Sequence, residues 1–306
     1  MNLAPVAVIG ASGLIGAAVA ARLRRERPVL RVGRHRDDHV HLDLARPIDA
    51  LSAALDGVED VVHCGGVTDE EFAANPAAAW QRATTATTKL AALLKRAGVR
   101  RVVYVSSAHV YGPLAGPLTE RTPADPRSDY ALAHFSAEQI FRRSGFLGAA
   151  LRPCAVFGMP PDLRRFKRWG LIPFGFPRMA CETGVIKLAT AGLQRRNFVS
   201  ARTVADQAAL ALASAGSFRV INPVGGDDLT VRQYAQLVCE LATEALGRPC
   251  CVEAPAGVSA EAPLAYLSDV CVPSPPGALA RLTAELIRRL QDENLHEDSQ
   301  RRRASA

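Results

Sequence analysis

Pro5-Val6-Ala7-Val8-Ile9-Gly10-Ala11-Ser12-Gly13-Leu14-Ile15-Gly16 stands near the start of the chain and decides how the rest is read. The apolar run before Gly10 has the length of a strand buried on both faces, as parallel strands are. The glycines that follow each meet a physical need. Gly10 permits a tight turn, Gly13 lets the backbone approach a diphosphate, and Gly16 lets the next helix lie close on the strand. An alanine-rich helix to about Arg25 comes next, and its open N-terminal amides suit phosphates. Ser12, Leu14 and Ile15 share this turn and join Gly10, Gly13 and Gly16 as candidate cofactor-binding residues.

Outward from the turn, strands and helices alternate. Val29 to Val32 reads as a second strand ending in Gly33-Arg34-His35-Arg36. Guanidiniums at this place suit the 2′-phosphate of NADP, so Arg34 and Arg36 favour that cofactor. Asp37 and Asp38 follow at once and keep NAD as the alternative. Val40 to Leu42 reads as a third strand, with Asp43 and Leu44 after it as further cofactor candidates. Asp60-Val61-Val62-His63-Cys64-Gly65-Gly66 gives a fourth strand that ends in small residues. These leave room for a flat cofactor, and Gly65 is the contact candidate. His63 falls inside this buried run and reads as a core histidine. Trp80 to Ala97 reads as a long helix and Arg101 to Ser107 as a fifth strand. The alternation predicts an α/β fold, a doubly wound parallel sheet of Rossmann type, with the ligand at the carboxyl ends of the strands.

Composition narrows the class. The chain has 306 residues, 48% hydrophobic, a net charge of +7 and a pI near 9.3. The basic excess is scattered arginine plus a short Arg301-Arg302-Arg303 tail, which reads as a solvated run and not as a nucleic-acid interface. The seven cysteines are odd in number and form no C-x-x-C pair, which points to free thiols in a reducing compartment. His39 and His41 lack a third ligand at metal spacing, so no metal is expected. No targeting segment precedes the first strand, and no apolar run approaches the roughly 18 residues of a membrane span. The expectation is a cytoplasmic protein without nucleic-acid or membrane partners.

Further segments carry a family resemblance. Gly10-x-x-Gly13-x-x-Gly16, Val105-Ser106-Ser107-Ala108-His109-Val110-Tyr111-Gly112, Tyr130 with Glu138-Gln139-Ile140, and Leu151-Arg152-Pro153-Cys154-Ala155-Val156-Phe157-Gly158 occur in order. Gly192 to Val199 and Asn222 to Thr230 continue the pattern. The chain resembles an extended short-chain dehydrogenase/reductase of the epimerase/dehydratase, nucleotide-sugar type, over Val6 to about Gly247. The resemblance implies that Ser107 hydrogen-bonds the reacting carbonyl or hydroxyl and that Tyr130 transfers the proton. It implies a nucleotide-linked small-molecule substrate and a homodimer through two long helices of the first domain.

The pattern breaks four residues past Tyr130, where the family's lysine is replaced by His134. An i, i+4 spacing on a helix puts His134 beside Tyr130. A neutral imidazole can hydrogen-bond a ribose but cannot lower a phenol's pKa by charge. Three readings stay open: His134 orients the cofactor or relays a proton, another cation assists, or the fold binds without turnover. Ala108 and His109 occupy the places of the Asp-Glu pair that the family's dehydratases use, which argues against 4,6-dehydration. His109 reads either as a general acid or base or as a histidine packed under the following loop. Ala155 and Ala83 stand where relatives carry asparagines. Ala108 and Ala155 are kept as substrate-side positions, and Arg196 matches the arginine that grips a substrate diphosphate.

After Phe157 the alternation fades into a smaller C-terminal substrate lobe. Residues 1–157 read as the dinucleotide-binding domain, 158–295 as mainly the lobe, with segments returning to the first domain, and 296–306 as a disordered tail. Pro160, Pro161, Pro173 and Pro177 read as breaks into short pieces. Phe166, Trp169, Phe174 and Phe176, interleaved with Arg164, Arg165, Lys167 and Arg168, read as a lid packed on the lobe, in preference to a base-binding patch. Helices are expected at Thr203 to Ala213, at Thr230 to Leu246 with Thr230 as N-cap, and at Ala278 to Gln291. The function expected is ketone reduction by an NAD(P)-dependent oxidoreductase. Redox-neutral epimerisation and a catalytically silent ligand-binding protein are the alternatives.

Overall fold

Five parallel strands in the first half of the chain set the architecture. They are β1 (Val6–Ile9), β2 (Val29–Gly33), β3 (Val40–His41), β4 (Asp60–His63) and β5 (Arg101–Val105). The computed structural model describes residues 3–35, 38–43, 48, 50–258 and 262–304, apart from the side chains of residues 50 and 294–304. Two later strands, Leu147–Leu151 and Arg219–Ile221, extend the sheet on the β5 side. The seven strands run in the order Arg219–Ile221, Leu147–Leu151, β5, β4, β1, β2, β3, every pair parallel. The order reverses direction between β1 and β4, so the crevice at their carboxyl ends is the place for a ligand.

Both faces of the sheet are covered, as a parallel sheet of valines and alanines requires. One face packs Leu51, Leu90, Leu94 and Phe141, and the other packs Val19, Leu23, Val204 and Ala208. Phe141 is fully buried, worth about 1.5–3 kcal/mol of burial free energy for such a side chain. A third core fills the lobe, where Phe174, Phe198, Tyr234 and Leu279 meet. The lobe's own sheet joins Ala155–Phe157 in parallel to Arg195–Ser200, which pairs antiparallel with Asp227–Thr230.

The long helix expected from Trp80 to Ala97 is interrupted. An α-helical segment, Pro76–Gln81, passes through a π turn at Arg82–Ala86 into Thr87–Arg96. Hydroxyls turn back on the backbone here: Thr84 Oγ1 donates to the Trp80 carbonyl at 2.8 Å and Thr87 Oγ1 to that of Arg82 at 3.1 Å. A short helix at Asp69–Ala74, closed by a Thr68–Glu71 capping box, precedes it and was not expected.

Pro173 and Pro177 do not break the chain. Both lie in a helix, Ile172–Thr183, with Pro173 in the first turn where its missing N–H costs nothing. Pro177 is interior, and burial of Phe174, Phe176 and Ala180 outweighs the lost hydrogen bond. Thr230 caps the Val231–Leu246 helix as expected, with Gln233 completing a capping box. Ser200 caps Ala201–Ala213. The final helix starts at Ala278 but runs on to Ala304, past the Gln291 expected from its apolar pattern and through most of the segment read as a disordered tail. Among the described residues, no helix is long and apolar enough to cross a membrane, and no three His, Cys, Asp or Glu gather to hold a metal ion.

Candidate active site

The turn after β1 is built by close backbone approach. Gly10 has φ 81°, in the region that favours glycine, and a Cβ on it would lie 3.0 Å from the Gly65 nitrogen. A Cβ on Gly16 would lie 2.0 Å from the Gly10 carbonyl oxygen, so the Leu14–Leu23 helix packs on the turn only because residue 16 has none. Gly13 is that helix's N-cap and lends no side chain, which leaves the first-turn amides open beside Ser12, Leu14 and Ile15. Gly65 donates to Nδ1 of the buried His63 at 3.3 Å, fixing the β4 end of the same cradle.

At the end of β2 a carboxylate folds back onto Gly33. Asp38 is buried, accepts from the His35 amide at 3.1 Å and pairs with Arg31 at 3.3 Å. A Cβ on Gly33 would lie 2.4 Å from Asp38 Oδ2. Arg34 is exposed, Asp43 is half-buried beyond β3, and Arg36 and Leu44 lie outside the described residues. Glycines without Cβ, uncapped amides and a carboxylate at the strand end together fit a dinucleotide.

Ser107 follows β5, and Tyr130 and His134 lie on the helix Asp129–Arg143, capped by Ser128. Ser107 accepts from the His109 amide at 3.2 Å, and its side chain favours the ionised form of Tyr130. Burial raises the Tyr130 pKa above its ordinary value of 10. The Ser107 side chain and the Arg168 charge draw it down, while Asp69 and Glu70 push it up. His134 lies edge-on to Tyr130, ring centroids 4.5 Å apart, so the helical spacing does bring the two together.

The imidazole is deeply sequestered. Its Nδ1 is 2.8 Å from the Tyr104 hydroxyl, and the Val67 backbone favours its protonated form. Burial pushes its pKa down to about 4, and the charges of Arg168 and Arg82 add to this. His134 is therefore neutral near pH 7. A Cβ on Gly66 would lie 2.7 Å from His134 Cε1 and 3.1 Å from the Tyr104 hydroxyl, so the bare Gly66 makes room for the ring.

A family model described as the NAD dependent epimerase/dehydratase family matches residues 6–222. The chain belongs to this family. It is 28% identical over 181 residues to a uronate dehydrogenase of Pseudomonas syringae pv. tomato, covering 52% of this chain and 62% of that one. The chain spans about three fifths of the length of the curated relatives it matches. Among solved structures it is similar to a UDP-N-acetylglucosamine 4-epimerase from Methanobrevibacter ruminantium M1, in complex with UDP-N-acetylmuramic acid. The TM-score is 0.78 at 21% identity, over 96% of this chain and 100% of that one. It is likewise similar to MoeE5 in complex with UDP-glucuronic acid and NAD, TM-score 0.74 at 23% identity, over 93% and 99%.

In this epimerase/dehydratase member the remaining candidates are distributed unevenly. His109 is exposed and meets Tyr130 edge-on at 6.1 Å, so it is not packed under the loop. Desolvation in the cleft lowers its pKa, the Arg196 charge adds to that, and Asp69 opposes it. Ala108 is 1% exposed, inside a cluster with Tyr111, Leu114 and Leu118 that supports the turn. Ala155 is half-buried on the lobe sheet, paired with Phe198. Arg196 acts electrostatically on His109 and Cys154 and has no carboxylate partner among the described residues. Its neighbour Arg195 is tied to Asp228 at 3.4 Å and to that residue's carbonyl at 2.9 Å. Of the two, Arg196 is the one left for an anionic ligand.

Four features at the site escaped sequence reasoning. Tyr104 and Gly66 hold His134, and nothing in their local sequence announces it. Glu138, one further turn along the helix from His134, is buried against Ser106 and takes a two-pronged bond from Arg152 at 2.9 and 2.7 Å. The Arg152 guanidinium in turn lies 4.6 Å over the Tyr111 ring. This buried pair fixes the strand end that carries Ser107. Arg168, noted only as part of a basic stretch, pairs from the lobe with Glu70 on the Asp69–Ala74 helix at 3.3 Å.

Proposed function

We propose that this protein is an NAD(P)-dependent oxidoreductase that reduces a ketone on a nucleotide-linked sugar or related polyol. The observation that carries this reading is the Ser107–Tyr130 pair. The phenol is held above its ordinary pKa, so near neutrality it is an acid with a proton to give. Carbonyl reduction needs that donor. Redox-neutral epimerisation, the second reading, uses the same pair but must also remove a proton from an alcohol before the ketone forms.

In this mechanism Ser107 polarises the carbonyl oxygen and Tyr130 protonates it. His134, neutral and bonded to Tyr104, holds the Tyr130 ring from the side and carries no charge to the reaction. Arg196 would hold the substrate diphosphate. A bound nicotinamide supplies the reducing equivalent. The cradle of Gly10, Gly13, Gly16 and Gly65 would hold its diphosphate side and Asp38 its adenosine ribose. A buried carboxylate there repels a 2′-phosphate, which turns the preference from NADP towards NAD. Asp38→Ser is expected to improve NADPH relative to NADH about tenfold, read as the ratio of dissociation constants.

The test is oxidation of NADH and NADPH by the purified protein over a panel of nucleotide-linked keto-sugars. Steady loss of NADH with one of them is the expected outcome. Demonstrable cofactor binding with no oxidation of either nucleotide by any ketone would leave the silent binding protein as the better account.

A further inference from the structure

Three of the seven cysteines, Cys181, Cys239 and Cys250, pack on the core of the lobe, and the chemistry at Tyr130 uses none of them. Cys239 lies on the Val231–Leu246 helix, and Cys250 follows its end, just before the strand Cys251–Glu253. All are free thiols in this structure. The Sγ atoms of Cys239 and Cys250 are nonetheless 2.9 Å apart. A disulfide needs about 2.05 Å, so the sulfurs have less than about 1 Å left to close.

Backbone on both sides holds this contact. Gly247, with φ 65°, ends the helix and turns the chain back. The Cys250 amide then donates to Thr243 Oγ1 at 3.1 Å, the Cys251 amide to the Gly184 carbonyl at 3.0 Å, and Arg248 to the Cys181 carbonyl. A Cβ on Gly184 would lie 3.2 Å from the Pro249 carbonyl oxygen, so the loop lies close on the end of the Ile172–Thr183 helix. The other two thiols are placed elsewhere. Cys181 Sγ faces the Ile287 carbonyl at 3.8 Å, and Cys251 is exposed.

We propose that Cys239 and Cys250 are a reversible redox pair, oxidised to a disulfide by a low-molecular-weight disulfide such as oxidised glutathione, and that the bridge clamps the lobe. Cys250 is half-buried on the loop and Cys239 is buried, so Cys250 reacts first. Its thiolate bonds one sulfur of the small disulfide and expels the other half as a thiolate. Cys239 then loses its proton and attacks the Cys250 sulfur, releasing the second half. Two protein thiols give up two electrons and two protons, and one small disulfide becomes two thiols. Burial raises the Cys239 pKa, and the Cys250 thiol against it adds to this, which suits Cys239 to the second step. The bridge ties the last turns of the helix to the strand paired with Val185–Lys187. It also restricts the unfolded chain, which stabilises the folded lobe.

The experiment holds the full-length protein in oxidised glutathione, blocks remaining thiols by alkylation and maps unreduced peptides by mass spectrometry. The expected result is a linked Cys239–Cys250 peptide, with a urea midpoint that rises on oxidation and returns with dithiothreitol. Cys251→Ser should leave this result unchanged, whereas Cys239→Ser should keep glutathione on Cys250 and form no bridge. The map of the unsubstituted protein does not depend on any variant folding. Seven alkylated cysteines after oxidation, a bridge through Cys181 or Cys251 instead, or a midpoint that does not rise with the Cys239–Cys250 bridge would overturn the proposal.

Discussion

The Gly10–Gly16 turn and the Ser107–Tyr130–His134 centre lie at the same edge of the sheet but tolerate change differently. The turn works through backbone: absent Cβ atoms, open amides and one positive φ. Any side chain on Gly16 would collide with the Gly10 carbonyl, so the spacing is fixed by sterics. The centre works through charge and proton affinity, which act over distance and have more than one possible source. Here the lysine is gone and the helix position holds a neutral ring. Steric requirements pin residues to positions, whereas electrostatic ones pin only a field.

The comparison would break first at Tyr130. Removing its hydroxyl in Tyr130→Phe should cost about 10²- to 10⁴-fold in reductive turnover. Calorimetry should show cofactor binding little changed. A variant that retains turnover would mean that the centre does not depend on the phenol.

The next effect tests whether the centre is truly uncharged. His134 and His63 have pKa values pushed down to about 4 and about 3. Above pH 6.5 they are neutral in both folded and unfolded chains and cost nothing. As the pH falls below 6.5 only the unfolded chain takes up protons, so stability declines until the folded-state values are reached. For His134 alone the full loss is about 3 kcal/mol, at about 1.4 kcal/mol per pKa unit. The urea midpoint should fall between pH 6.5 and 4, and fall less in His134→Gln. Equal slopes in the two proteins would show that the ring is solvated.

The smallest effect sharpens the steric side. Gly16→Ala places a methyl group where the backbone already stands, at a cost of about 1–3 kcal/mol in chemical denaturation. Cofactor affinity should weaken with it. A neutral result would show that the helix can slide away from the turn.

The glycine turn was legible because each requirement is local: strand, turn and helix follow one another in a dozen residues. Tyr130 and His134 could be placed together because one helical turn separates them. Asp38 could be noticed but not placed, because its carboxylate reaches back to Gly33 through a loop. The broken helix at Arg82 and the continuous one through Pro177 depart from the local pattern for different reasons. In the first, hydroxyls of Thr84 and Thr87 compete with the helical pattern; in the second, burial of Phe174 and Phe176 overrides a proline's local penalty.

By itself, then, the sequence determined the doubly wound sheet, the cofactor turn and the Ser107–Tyr130 pair. The sheet and the turn rest on periodicity and short spacings that the covalent chain enforces, whereas the Ser107–Tyr130 pair rests on the family resemblance. Only the tertiary structure decided the state of the site. Whether His134 is charged depends on its burial against Tyr104 and Val67 and on the space above Gly66. Desolvation and Coulomb forces are set by distance in space, and these residues are neighbours only after the chain has folded.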